Sequence, residues 1–139
     1  MNIRRLLERI RDDDRGALAV VFIAVVVTLV VVIGLVVDGA GKYQTAEQAQ
    51  QIASSAARAA TNAISGDTVR VGELTLDGTK ANQAATAYLS AAGVDGQVTV
   101  NGMTVTVNVE TSYTTRFLSL IGITELPTSA TASAELITQ

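Results

Sequence analysis

An uninterrupted apolar run near the N-terminus constrains this chain more than any other feature. Residues 17–37 (ALAVVFIAVVVTLVVVIGLVV) contain no charged side chain. About 20 helical residues span the roughly 30 Å hydrocarbon layer of a bilayer, and lipid leaves only a helix able to pair its own backbone. The apolar region of a cleaved signal peptide is shorter, about 7–15 residues. The run therefore predicts a retained transmembrane helix.

The basic residues on either side of the run predict its orientation. After the run the first basic residue is Lys42, whereas residues 1–16 contain several arginines: Arg4, Arg5, Arg9, Arg11 and Arg15. Short segments rich in Lys and Arg stay on the cytoplasmic side. Residues 1–16 are therefore expected inside, and residues 38–139 outside, the cytoplasmic membrane.

Composition argues against most chemical functions. The chain has no Cys and no His, so disulfides, the commonest transition-metal ligands and the usual nucleophile–base pairs are missing. Its net charge of -3 is unfavourable for a nucleic-acid binder, which needs a basic surface. We therefore expect no catalytic, cofactor-binding or metal site, and neither nucleic acid nor a small-molecule substrate as a partner.

An alanine-rich segment after the run predicts a helical extension over residues 38–66. It lacks proline and is rich in good helix formers. Six alanines recur every three or four positions: Ala46, Ala49, Ala53, Ala56, Ala60 and Ala63. This helix-packing seam of small side chains has two interpretations, packing against the chain's own C-terminal domain or against neighbouring subunits. Gly66 is expected to end the helix, so that residues 16–65 form one rod of roughly 75 Å.

The remaining residues, 67–139, predict a small extracytoplasmic α+β domain. Alternation predicts strands at 68–76, 97–101, 103–112 and 128–137, and helical spacing predicts a helix from residue 81 that ends at Gly93. Asn101 and Gly102 predict a two-residue hairpin turn. Residues 116–123 are expected to form a short helix or an apolar loop. The predicted fold is a mainly antiparallel sheet covered on one side by helices, in a pilin-like architecture with a long N-terminal helix.

Several segments together resemble TadE/TadG-like proteins of the tight-adherence (Flp) pilus-assembly systems. They are RGALAVVF at 15–22, VDGAGKY at 37–43, the alanine-rich residues 48–63, FLSLIGI at 117–123 and ATASA at 130–134. In this resemblance Asp38, Gly39 and Tyr43 form a membrane-exit motif.

The resemblance also implies a candidate prepilin-peptidase site. Some pilin-like members are cut after a glycine, and their mature chain has glutamate at its fifth position followed by an aromatic residue. Gly16 would be that glycine and Ala17 the first mature residue. Val21 occupies the glutamate position, and Phe22 is the aromatic residue. The absent glutamate favours a lasting anchor over a processed filament subunit.

The resemblance implies a non-enzymatic, membrane-anchored component of a Tad/Flp-type pilus or secretion system, either pilin-like (a minor pilin or pseudopilin) or an assembly component. Its expected partners are membrane lipid and other pilin-like or pilus-assembly proteins, including a second copy of itself. Its expected location is the bacterial cytoplasmic membrane, with incorporation into a surface pilus left open. The alternatives are a single-pass tether with an outer binding or sensory module, and a structural subunit of another helical assembly.

Overall fold

The computed structural model describes the backbone of residues 3–71 and 78–135, and the side chains of residues 16–63 and 78–135. In chain order the elements are the helices α1 (Ile3–Val71) and α2 (Gly78–Ala92), the strands β1 (Asp95–Asn101) and β2 (Thr104–Thr114), a short 3-10 helix (Leu118–Ile121) and the strand β3 (Glu125–Glu135).

Helix α1 continues without a break from the apolar run into the outer domain. Its 69 residues extend for about 100 Å at 1.5 Å per residue. Within the described residues, α1 is the one helix long and apolar enough to cross a membrane. From 17 to 37 every side chain is exposed, and Gly34 alone is buried, which leaves this surface to lipid. The described residues therefore contain one helix suited, by its length and composition, to cross a membrane.

Two predictions about the end of α1 were wrong. The helix does not end at Gly66 but continues to Val71, and residues 68–71 are helical where a strand was predicted. A glycine ends a helix only where its backbone leaves the helical region, and at Gly66 the backbone stays helical. The rest of the predicted strand, residues 72–77, lies outside the described residues. The division into segments at residues 16, 37 and 66 stays a prediction.

The sheet has three antiparallel strands in the order β1-β2-β3. Its hairpin turn is formed by Gly102 and Met103, because Asn101 already pairs with Thr104. The turn was therefore predicted one residue too early. Gly102 has a φ of 59° and no described non-glycine residue has a positive φ, so this turn needs glycine at its first position only. A two-residue loop keeps the predicted alternation in phase along β2.

The core lies between one face of the sheet and both helices. Val105, Val107 and Val109 on β2 are fully buried and stand beside alanines of β3 in the register. Alanines supply most of the helical side of the core: Ala49, Ala53, Ala56, Ala57 and Ala60 from α1, and Ala81 and Ala85 from α2, with Leu89. Side chains this small let the helix backbones lie close to the sheet. The predicted α+β class, with helices on one side of an antiparallel sheet, is confirmed.

The opposite face of the sheet is polar. Thr106 and Ser133 are hydrogen-bonded at 2.9 Å, and the Thr131 hydroxyl donates to Asn108 Oδ1 at 3.0 Å. Both pairs are directly opposed in the β2–β3 register. These cross-strand bonds align the two strands and do not converge on a pocket.

Candidate functional site at the membrane exit

The candidate site is a stripe on α1 formed by Gly34, Asp38 and Gly41. Residues four and then three positions apart lie on one helical face. Gly34 belongs to the apolar run, and Asp38 is the first residue after it. The stripe contacts the end of β2 and the loop between β2 and β3, residues 115–124, which we call the β2–β3 loop.

Asp38 binds the backbone of the β2–β3 loop with both carboxylate oxygens. Its Oδ1 accepts the N–H of Arg116 at 2.8 Å. Its Oδ2 accepts the N–H of Phe117 at 3.0 Å and that of Leu118 at 2.7 Å. The Tyr113 hydroxyl approaches Oδ1 at 3.5 Å, which is long for a hydrogen bond. One carboxylate therefore caps three N–H groups at the start of the 3-10 helix.

The buried carboxylate stays ionised because of these donors. Asp38 is 0% exposed, and burial alone would raise its pKa. The N–H groups of Arg116, Leu118 and Phe117, with a smaller contribution from Tyr113, outweigh burial and hold the pKa of Asp38 below its ordinary value. Hydrogen bonds to an ionised acceptor are shorter and stronger than neutral ones. Asp38 therefore attaches the loop to α1 across almost 80 intervening residues.

The glycines above and below Asp38 allow the close approach that these bonds require. A Cβ added to Gly34 would lie 2.7 Å from the Cβ of Phe117, and one added to Gly41 would lie 2.2 Å from Cζ of Tyr113. Both distances are far inside van der Waals contact. We call Asp38, its three backbone donors and these two glycine contacts the latch.

The structure separates the residues of the predicted exit motif. Asp38 is the centre of the latch, whereas a Cβ added to Gly39 would have no neighbouring atom within 4 Å. Tyr43 is exposed, and a hydrogen bond to Glu47 together with the charge of Glu47 raises the pKa of its hydroxyl. Neither Gly39 nor Tyr43 contributes to the latch.

Sequence reasoning missed the partners of Asp38. Gly34, Gly41, Tyr113 and the backbone of residues 116–118 were not assigned to a site. The spacing of two glycines around a single carboxylate was the available signal, because it predicts a small-residue face with one charge.

The residues of the candidate peptidase site lie apart from the latch. Gly16, Ala17, Val21 and Phe22 are all exposed on α1, and no atom lies within 4 Å of a Cβ placed on Gly16. The outer domain therefore leaves this stretch uncovered.

The alanine seam is largely used within the chain. Ala49, Ala53, Ala56 and Ala60 are buried in the core, Ala46 is half-buried and Ala63 is exposed. Of the two interpretations, packing against the chain's own domain describes those four alanines.

The site is suited to holding segments together. Among residues 16–63 and 78–135, no group of three or more His, Cys, Asp or Glu side chains lies close enough to hold a metal ion. Asp38 is the one buried carboxylate of this part of the chain, and all of its strong hydrogen bonds are to backbone groups.

Comparison with known protein families gives a match to part of helix α1. A model of the Tad family, described as "Putative Flp pilus-assembly TadE/G-like", matches residues 16–63. The match starts at the candidate cleavage glycine, includes the apolar run and Asp38, and ends with the last alanine of the seam. No curated protein matches the chain, and no solved structure does.

Proposed function

We propose that this TadE/TadG-like membrane protein is a non-enzymatic component of a Tad/Flp-type pilus-assembly system, anchored permanently by its N-terminal helix. One observation carries the proposal. The segment that matches the Tad family model, residues 16–63, is both the apolar span and the helix against which the outer domain folds. The TadE/G-like segment therefore supplies both the predicted membrane anchor and the helix on which the outer domain packs.

The latch supports a scaffolding role. Asp38 and the two glycine contacts join the outer domain to α1 immediately beyond the apolar run. A domain joined there cannot swing on a flexible linker, so its surfaces face partners at a constant height above the bilayer. Constant placement is useful to a protein that positions pilins or assembly proteins.

Partner contacts are proposed on surfaces other than the buried seam. Ala49, Ala53, Ala56 and Ala60 already contact the chain's own sheet and α2. The opposite side of α1 and the exposed apolar run are available for pilin-like partners or a second copy. Within the membrane, association of such helices depends on close packing.

Anchor retention is proposed from Val21. A valine cannot supply the carboxylate that processed pilin-like members carry at this position, and the outer domain is tied to the helix just beyond the span. Intact-mass measurement of the membrane-extracted protein tests this step. The full-length mass is expected, whereas loss of residues 1–16 would show pilin-like maturation after Gly16.

Deletion and complementation in the source cell test the assembly role. Deletion is expected to reduce surface Flp pili, and the wild-type gene and a Gly39→Ala variant are expected to restore them. A Gly34→Ala variant, which disturbs the latch, should restore fewer pili at equal protein level. Unchanged pilus number after deletion, together with no photocrosslink from the exposed side of α1 to a Tad component, would contradict the proposal and favour a tether unrelated to pili.

A further inference from the structure

The β2–β3 loop carries a cluster of exposed apolar side chains. Leu120 is 82% exposed and Ile121 71% exposed, and Phe117 and Ile123 are also exposed. Four of the loop's residues line one apolar groove together with four residues of α1: Phe117, Leu118, Leu120 and Ile121 with Val30, Val31, Gly34 and Leu35. The loop therefore lies against the apolar run itself.

The position of this groove along α1 gives the depth of the loop. Val30 lies about 10 Å before Val37 along the helix axis, at 1.5 Å per residue. The apolar run is matched to the hydrocarbon layer, so its last 10 Å correspond to the outer leaflet. We propose that residues 117–123 are immersed in the outer leaflet, where acyl chains cover Leu120 and Ile121. The proposal depends on the membrane span and its predicted orientation, and is independent of the role in pilus assembly.

The loop's hydrogen bonding suits this environment. Irregular backbone in contact with lipid is costly because lipid cannot pair its polar groups. Here Asp38 accepts the N–H groups of residues 116–118. Further along the loop, backbone carbonyls accept the N–H groups of Leu120, Gly122 and Ile123. Most backbone N–H groups of the loop are therefore hydrogen-bonded within the protein and do not require water as a partner.

Two of the loop's hydroxyl side chains are paired in the same way. The hydroxyl of Thr115 donates to the carbonyl of Ile123, and that of Ser119 donates to the carbonyl of Arg116. Arg116 itself is exposed and starts the loop beside Asp38. A long basic side chain at that level can extend to lipid phosphates while the apolar tip remains immersed.

Acyl chains are the occupant that the observations favour. The exposed side chains of the loop continue, across one shared groove, the exposed surface of a transmembrane helix. Because the loop surface is continuous with the lipid-facing surface of α1 and lies at the same depth, we expect lipid to cover both. The depth also agrees with interfacial elements, which bury apolar faces about 5–10 Å into the boundary between headgroups and acyl chains.

Tryptophan fluorescence of the full-length protein tests the immersion. The chain contains no Trp, so Leu120→Trp or Ile121→Trp introduces a sole tryptophan at a position exposed in the fold. The matched control is Met103→Trp in the hairpin turn. This turn lies at the opposite end of β2 from the β2–β3 loop, roughly 35 Å away along the strand at about 3.3 Å per residue. Each variant is reconstituted at high dilution into phosphatidylethanolamine–phosphatidylglycerol vesicles, with or without bromine on the acyl chains.

Immersion predicts blue-shifted emission from both loop variants, with most of that emission lost in brominated vesicles. Bromine near the headgroup end of the chain should quench more strongly than bromine near its terminus. The Met103→Trp control should emit as a water-exposed tryptophan that acrylamide quenches and bromine does not. Water-like emission from the loop variants would overturn the proposal. Blue-shifted emission that bromine leaves unchanged would also overturn it, because protein and not lipid would then cover the loop.

Discussion

A Gly34→Ala substitution tests whether close approach at the latch holds the outer domain to the anchor. The new Cβ would lie 2.7 Å from the Cβ of Phe117, where carbon atoms ordinarily stay about 3.5–4.0 Å apart. Rotation of the Phe117 ring cannot relieve this clash, because its Cβ is bonded directly to the backbone, and the Phe117 N–H is held 3.0 Å from Asp38. The loop must lift from α1, at an expected cost of about 1–3 kcal/mol for overpacking.

Gly39→Ala is the matched control, because it makes the same chemical change on the same helix with no atom within 4 Å of the new Cβ. The helix-propensity gain of up to about 1 kcal/mol is common to both variants, so their difference isolates the clash. Hydrogen exchange of the amides of residues 116–118 in detergent micelles measures opening of the latch. A difference of about 2 kcal/mol corresponds to exchange roughly 30-fold faster in Gly34→Ala, since about 1.4 kcal/mol is tenfold. Equal protection in the two variants would refute the reasoning.

Three further predictions concern the latch and the core. Because Asp38 has a folded-state pKa below its ordinary value of 3.8, its stabilisation is present above pH 3.8 and lost as the pH falls through the lowered value. The protection factors of the 116–118 amides, which compare their exchange with that of unstructured peptide at the same pH, should therefore fall in the wild type as the pH falls through the lowered pKa, but should be low at every pH in Asp38→Asn. Ala53→Leu combined with Ala60→Leu overfills two fully buried positions and should lower the stability of the outer domain by about 2–6 kcal/mol in thermal unfolding, whereas Ala63→Leu, on an exposed residue, should leave it unchanged. Gly96→Ala would place a Cβ 2.6 Å from the carbonyl oxygen of Asn108 and should cost about 1–3 kcal/mol, seen as a lower midpoint of unfolding.

Local sequence patterns predicted the elements whose residues interact with near neighbours. The apolar run predicted a helix because lipid offers the backbone no other hydrogen-bond partner, and the alternation at 103–112 predicted the strand β2. The glycine at position 93, with a φ of 69°, ended α2 as expected. In each case the deciding property belongs to one continuous segment or one residue, so a short window of sequence contains it.

The latch could not be predicted in this way because its partners are far apart in the chain. Asp38 and Leu118 are separated by 80 positions, and nothing local shows that a carboxylate at a membrane exit will meet three backbone N–H groups. Gly66 failed for a related reason. Glycine is common just after the end of a helix, but whether a given glycine adopts the left-handed conformation that ends the helix depends on the contacts made by the residues that follow it.

The latch and the immersed loop together bear on whether this chain can leave the membrane. A pilin that enters a filament exchanges lipid around its helix for the helices of neighbouring subunits, so every lipid-covered surface must find a protein partner. In this chain the surface to be covered includes the proposed immersed loop as well as residues 17–37. The loop also packs beside α1 at Gly34 and adds bulk on that side, where it would keep a neighbouring subunit at a distance. The latch fixes that bulk to one side of α1 at the end of the run, so neighbouring helices can pack closely only against the other side while Asp38 stays bound. This geometry is consistent with our proposal of a component that remains in the membrane.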